Sequence, residues 1–316
     1  SANVQGGHMA DLGIHGVPAR PAGMSRIAHT EQVLNALPDV FTRMWISDHL
    51  QIDGEPIPEA WTRLTYLAAA FPRFHFGHMV LSQSYRNPAL LAVMAQTLQE
   101  FSGGRFILGL GAGWLEEEYR SFNYPYPSGG TRVAQLAEAI TLIKRLWTKS
   151  PATFHGEHYH IDGAICATPD PPIPVMVGTN GPKALKVVAR LADWWVWDGP
   201  WEVSYRRPYE ILRAECEAIG RPFEEIQLVA ELTVSLPDDV TTFQSQYEHG
   251  FYPGQVFGVA GPTAVEIIRE IEQLVDVGVR HVAINFEDQR QLERFVDEVV
   301  PHLRLEPKAA PGSATV

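Results

Sequence analysis

Short apolar runs alternate with amphipathic stretches eight times along this chain, and few architectures accept that rhythm. The strand-like runs are Leu12–Gly16, Arg43–Ser47, Phe74–Ser82, Arg105–Leu110, Ile173–Val177, Trp194–Trp197, Ile226–Ser235 and Val279–Phe286. Helical stretches follow them: from Ser25 to about Leu37, Glu59–Phe71, Pro88–Phe101, Thr131–Trp147, Pro182–Leu191, Tyr205–Ile219, Thr263–Val277 and Gln291–Leu303. Ser25 suits a helix cap and Pro88 a first helical turn. In Thr131–Trp147, Val133, Leu136, Ala137, Ile140, Ile143 and Trp147 recur at three- and four-residue spacing, which predicts one apolar stripe. Eight strands interleaved with eight helices predict a single (β/α)8 TIM barrel of the α/β class. A doubly wound open sheet is the competitor, but no Gly-x-Gly-x-x-Gly follows the first strand. Ala152–Pro172 and Pro237–Gly261 read as insertions in the barrel.

Composition agrees with one large core. The 316 residues are 45% hydrophobic and 20% charged, which suits a barrel and not a disordered chain. The barrel is expected over 9–305, with 1–8 an expression remnant and 306–316, rich in Pro, Ala, Gly and Ser, a loose tail. A net charge of −12 repels nucleic acid and anionic lipid and leaves a small molecule as the expected partner. An anion can still bind where backbone amides converge. Two cysteines, Cys166 and Cys216, cannot build a disulfide framework, so a reducing cytoplasm is expected. No apolar run approaches the ~20 residues of a membrane helix.

Loops that follow barrel strands line the catalytic face, so strand ends supply the site candidates. Gly178-Thr179-Asn180-Gly181 follows the fifth strand and opens a helix at Pro182. It is either a plain capped turn or a phosphate cradle of amides and the Thr179 hydroxyl. Its place after barrel strand five favours the cradle. Replacing Gly178 with aspartate is then expected to weaken ligand binding and leave the barrel folded. Gly109, Gly111 and Gly113 alternate at the end of the fourth strand, just before Trp114. They suggest bare backbone against a flat ligand, with Trp114 stacking on it. The alternative is a tight turn before an acidic helix start. Asp48-His49 ends the second strand. The imidazole of His49 can give or accept a proton, and Asp48 is placed to orient it or to bond a ligand. His155, His158 and His160 read as hairpin residues around a Gly156-Glu157 turn, with no metal expected.

Taken together, these segments resemble the bacterial luciferase-like oxidoreductases, and within them the branch dependent on the deazaflavin coenzyme F420. The resemblance is carried by Trp45–His49, by Gly77–Ser82 with Tyr85-Arg86-Asn87-Pro88, by Ser102–Tyr119, by Arg132–Trp147 and by Pro174–Trp195. It implies a flavin-like ring at the barrel mouth and a non-proline cis peptide, here Met79–Val80, behind the ring. It also implies ring contacts at Asp48, His49, Ser82 and Gly111–Trp114, a cofactor contact at Glu117, and the cofactor phosphate on Gly178–Gly181. Sugar-phosphate dehydrogenases of that branch carry a catalytic glutamate where this chain has Trp114, which argues against a sugar phosphate substrate and favours His49 for proton transfer. The leading expectation is an F420-dependent oxidoreductase, with a homodimer as the family's usual form. The alternatives are an FMN-dependent monooxygenase of the same superfamily, a non-catalytic flavin-binding protein, and a non-redox barrel acting on a phosphorylated metabolite. The last would more often place its phosphate after strands seven and eight, where Leu236-Pro237-Asp238-Asp239 offers no glycine-rich loop.

Overall fold

The computed structural model describes residues 9–52, 54–244, 246–248 and 256–306. Eight parallel strands form its frame: β1 Asp11–His15, β2 Phe41–Ile46, β3 His75–His78, β4 Phe106–Gly111, β5 Val175–Gly178, β6 Trp194–Asp198, β7 Gln227–Val234 and β8 Val279–Phe286. Their hydrogen-bonded order follows the chain from β1 to β6, with β8 beside β1 and β7 beside β8; β6 pairs with β7 and closes the (β/α)8 barrel. The helices are α1 Arg26–Ala36, α2 Ala60–Ala70, α3 Pro88–Phe101, α4 Glu116–Ser121, α5 Gly129–Thr148, α6 Pro182–Leu191, α7 Arg206–Ala218, α8 Ala264–Asp276 and α9 Gln289–Arg294. Among the described residues, no helix is long and apolar enough to cross a membrane.

Most boundaries fall within two residues of expectation, because caps mark them. The Ser25 hydroxyl accepts the Ala28 N–H at the start of α1, and Asn87 caps α3 ahead of Pro88. Three differences have local causes. The third strand is interrupted: His75–His78 and Leu81–Ser82 both pair with β4, on either side of a cis Met79–Val80 bond. The last helix does not run to Leu303. It passes from α9 through a π turn, Phe295–Val299, to a 3-10 turn at Val300–His302, where Pro301 has no N–H to continue the ladder. The buried face of α5 is Leu136, Ala139, Ile140, Leu142, Ile143, Leu146 and Trp147, leaving Val133 and Ala137 half-buried. That face is wider than one stripe because α5 packs on both α3 and α6.

Two compact units are distinguished in the chain. The first, Arg43–Trp197 with Arg207–Gln227, holds β2 to β6. Its strands pack at close range: a Cβ on Gly77 would lie 2.5 Å from the Ile107 carbonyl oxygen. Trp147 Nε1 donates to the Ala92 carbonyl at 3.0 Å and ties α5 to α3. Between α5 and Val175, the Ala152–His155 and His160–Ala164 strands form the expected hairpin. Its turn is anchored by Glu138, which accepts the N–H groups of Glu157, His158 and Tyr159. The rings of His155 and His160 lie 5.9 Å apart on one side of the hairpin. His155 pairs with Asp162, and His158 sits beside Glu138 and Glu157, whose ligand-capable atoms lie within 4.8 Å of it and of one another.

The second unit, residues 1–42, Asp198–Arg206 and Leu228–Val316, holds β1, β7 and β8. Leu12 and Ile14, Ala230 and Leu232, and Val282 and Ile284 point the same way in matched register and are fully buried. The other positions of these strands and their ends hold two carboxylate–imidazole hydrogen bonds: Asp11 with His281 Nδ1 at 2.8 Å, and Glu231 with His15 Nδ1. Helix α8 opens on a capping box between Thr263 and Glu266 and buries Ile267, Ile271, Leu274 and Val275. The insertion expected at Pro237–Gly261 contributes an antiparallel pair, Gln246–Glu248 with Val256–Ala260. Residues 245 and 249–255 of that expectation, like 1–8 and 307–316, lie outside the described residues.

Candidate active site

The candidate site belongs to the first unit and is built on the ends of β2, β3, β4 and β5. Strand β2 buries Trp45 and Ile46 and then releases Asp48 and His49. Asp48 is 4% exposed. Its two oxygens face the Arg86 guanidinium at 2.8 and 3.0 Å, and one of them also accepts the Ser82 N–H at 3.0 Å. Burial pushes this carboxyl above its ordinary range, although Arg86 and the Ser82 N–H pull against it. Arg86 reaches on to Glu59, the residue that caps α2. Asp48 therefore fixes the Ser82 backbone after the Met79–Val80 bend, and its carboxylate accepts from Arg86 and Ser82 and not from His49.

The partner of His49 is Glu118. His49 Nδ1 lies 3.2 Å from Glu118 Oε2, and the imidazole meets the Trp114 ring edge to face at 5.3 Å and 80°. Glu118 is 2% exposed and also accepts the Leu50 N–H, the Gln51 N–H at 3.1 Å and the Tyr85 hydroxyl at 2.8 Å. Burial works against its charge, but the bonds from His49, Leu50 and Tyr85 prevail and hold it below the ordinary carboxylate range. Its neighbour Glu117 is exposed on α4.

The glycines at the end of β4 admit neighbours from the chain itself. A Cβ on Gly109 would overlap the His78 carbonyl oxygen, and one on Gly111 would lie 2.7 Å from Val80 Cγ2. Gly113 has φ +76°, and a Cβ there would overlap the Tyr119 hydroxyl. That hydroxyl bonds Ser82 Oγ at 2.5 Å, so the Ser82 side chain is already engaged. Gly178 at the end of β5 meets Val80 from the other side, with its Cβ position 3.0 Å from Val80 Cγ1. The Val80 side chain is thus seated between two glycines, and a Cβ at Gly178 would press on it.

Gly181 differs. It is the N-cap of α6 with an extended backbone (φ −71°, ψ 135°), and nothing lies within 4 Å of its Cβ position. No side chain caps this helix, and the Lys183 and Ala184 N–H groups have no intrahelical acceptor by helix geometry. Thr179 Oγ1 takes the Gly181 N–H only at 3.4 Å, while the Thr179 carbonyl accepts Trp195 Nε1 at 2.8 Å. Asn180 is exposed beside them. An uncapped helix start behind a residue with open space above it fits an anion such as a terminal phosphate.

The structure thus gathers Asp48, His49, Met79, Val80, Ser82, Gly111, Gly113 and Trp114 around the ends of β2 to β4, with Gly178–Gly181 on β5. Sequence reading missed Glu118, Arg86 and the tyrosines that buttress them. Tyr85 packs on Tyr124 at 4.7 Å and on Tyr119 at 5.0 Å, and Tyr126 packs on Tyr119 at 5.0 Å. One signal was present: of three consecutive glutamates at 116, 117 and 118, helical spacing lets only some face inward.

The luciferase-like monooxygenase family profile matches residues 19–294. An F420-dependent glucose-6-phosphate dehydrogenase of Kineococcus radiotolerans is 29% identical over 301 residues, covering 83% of this chain and 88% of that relative. A second, of Nakamurella multipartita, is 28% identical over 308 residues, covering 84% and 88%. Among solved structures, an F420-dependent secondary alcohol dehydrogenase in complex with an F420-acetone adduct superposes with a TM-score of 0.77 at 20% identity, covering 94% of this chain and 100% of that one. The coenzyme F420-dependent tetrahydromethanopterin reductase from Methanopyrus kandleri gives 0.74 at 20% identity, with the same coverage.

Proposed function

This chain belongs to the luciferase-like monooxygenase family, and within it we propose an F420-dependent oxidoreductase that moves a hydride between the deazaflavin and a small organic substrate. The observation that carries the cofactor is the match, along most of both chains, to relatives that are F420-dependent. When bound, F420 supplies a carbon that gives or takes a hydride; the chain supplies placement and protons.

His49 gives or takes the proton, held at Nδ1 by Glu118 and against the Trp114 ring. Asp48, gripped by Arg86, serves by holding the Ser82 backbone, which sets the Leu81–Ser82 segment after the Met79–Val80 bend. Gly111, Gly113 and Trp114 form the adjoining wall, and Glu117, exposed on α4, would help hold the cofactor. Thr179, Asn180 and Gly181, with the start of α6, seat the phosphate. The Gly178–Val80 contact keeps that turn in register with the bend. A cytoplasmic location accords with the free, buried Cys166 and Cys216. A homodimer belongs to the same reading.

Titrating the protein separately with F420 and with FMN, following tryptophan fluorescence, tests the cofactor. Micromolar binding of F420 is expected, and micromolar binding of FMN without F420 binding would overturn it. With a good substrate, His49→Ala should slow hydride transfer by on the order of 100-fold or more. Unchanged turnover would remove His49 from the reaction.

A further inference from the structure

We propose that Glu118 is a positioning residue that fixes the tautomer of His49, keeping the proton on Nδ1 and leaving Nε2 as the atom that exchanges a proton with substrate. The inference rests on the assignment of proton transfer to His49. It begins from the number of donors around one carboxylate. Glu118 Oε1 accepts the Leu50 and Gln51 N–H groups, and Oε2 faces Tyr85 Oη and His49 Nδ1. Two carboxylate oxygens offer about four acceptor positions, so this set fills them. Two of the four donors are backbone amides, which cannot reverse direction.

Tyr85 cannot reverse either. Burial, and then the hydrogen bond to Glu118, push its phenol well above the ordinary tyrosine range, so its hydroxyl stays protonated and donates. Packing against Tyr119 and Tyr124 fixes the ring that carries it. Glu118 itself is held in its charged form by this donor set. A neutral imidazole whose Nδ1 faces a filled, ionised carboxylate must carry its hydrogen on that nitrogen. The edge contact with Trp114 opposes rotation of the ring, which would exchange Nδ1 for a carbon. The chain thus presents a bare Nε2 in the neutral form and a donating Nε2–H in the charged form, which is what proton exchange in either direction requires.

Glu118→Gln separates this role from structural support. An amide oxygen can still accept the Leu50 and Gln51 N–H groups, so the loop keeps its anchor. The amide NH2 would then face Nδ1, which can satisfy it only by accepting, and the hydrogen moves to Nε2. Histidine 15N chemical shifts, recorded on cofactor-free protein above the imidazole titration, read the tautomer directly. The expected result is a protonated Nδ1 in the native protein and a protonated Nε2 in Glu118→Gln. Turnover should fall by on the order of 100-fold or more, with little change in cofactor affinity. Tyr85→Phe is the second variant. It removes a competing donor from Oε2, so the Nδ1–H proton should move downfield with the tautomer retained. The same tautomer in native protein and Glu118→Gln, or an Nδ1–H signal that does not move in Tyr85→Phe, would overturn the inference. Failure of the underlying reading looks different: His49→Ala would keep its turnover while the tautomer switch is still observed.

Discussion

Replacing Gly181 with aspartate should push the fold and the ligand in opposite directions. The position already has an N-cap backbone, and nothing lies within 4 Å of its Cβ position, so the side chain enters without strain or overlap. Helix α6 has no side-chain cap at present. An aspartate there would accept an amide of the first turn and meet the positive end of the helix. Aspartate for glycine at an N-cap contributes a few tenths of a kcal/mol, and the helix dipole adds roughly 0.3–1 kcal/mol. A net gain of about 0.5–1 kcal/mol raises Tm by about 1–2 °C in a chain of this size. Binding moves the other way, because the new carboxylate occupies the ground a phosphate would take. At a separation of about 4 Å, repulsion between two unit charges is ~1 kcal/mol in water-like surroundings and ~4 kcal/mol at an effective dielectric constant of 20. F420 should therefore bind roughly 5-fold to several hundredfold more weakly.

Thermal melting and a fluorescence titration on the same preparation read both effects. Gly181→Asn is the control: it caps the helix without charge, so it should gain part of the stability and lose less of the affinity. A raised Tm with undiminished F420 affinity in Gly181→Asp would show that the start of α6 is not the phosphate seat. Gly178→Asp cannot replace this test. Its Cβ would lie 3.0 Å from Val80 Cγ1, so altered binding would also reflect disturbed packing.

Two further outcomes are expected. Gly113→Ala should destabilise the fold by about 2–5 kcal/mol in urea unfolding, because a positive φ and overlap with the Tyr119 hydroxyl act together; a loss below 0.5 kcal/mol would mean the loop is free to shift. Asp198→Asn should stabilise the protein at pH 8 and have little effect at pH 3. Burial, and then Glu231, raise the Asp198 carboxyl from 3.8 to about 7, so the folded state keeps a proton that the unfolded chain has released, and stability falls as pH rises through that window. At 1.36 kcal/mol per pH unit, and discounted by about half for partial exposure, the gain is about 2 kcal/mol. Equal stability of the two proteins at both pH values would contradict it.

The barrel was legible because its signals are local. Apolar runs of strand length and caps such as Ser25 and Asn87 lie within a few residues of the elements they define. The positions of the site were legible for the same reason, since a strand end is a place in the sequence. Their partners were not. His49 and Glu118 are 69 residues apart, and Asp48 and Arg86 are 38 apart; adjacency in sequence suggested Asp48 as the partner of His49, while the fold supplied Glu118. The alternate glycines at the end of β4 suggest bare backbone facing a ligand, and the fold adds neighbours of their own: His78, Val80 and Tyr119 crowd the Cβ positions of Gly109, Gly111 and Gly113, which a pattern of small residues cannot reveal. The stretch Gln291–Leu303 reads as one helix in the sequence, but the structure ends it in a 3-10 turn at Pro301, which has no N–H to continue the ladder.

The seat of Val80 between Gly111 and Gly178 has a consequence for how such a site can change. Gly111 and Gly178, at the ends of two strands, and Val80, in the bend between His78 and Leu81, crowd one another, so their sizes are not independent variables. A methyl group added at 111 meets Val80 Cγ2 at 2.7 Å and one at 178 meets Val80 Cγ1 at 3.0 Å, so growth at either glycine presses on the half-buried side chain at 80. Homologues are then expected to vary at these positions as correlated sets, and a library that randomises one of them alone will sample mostly misfits. Reshaping this wall of the site is a three-position move.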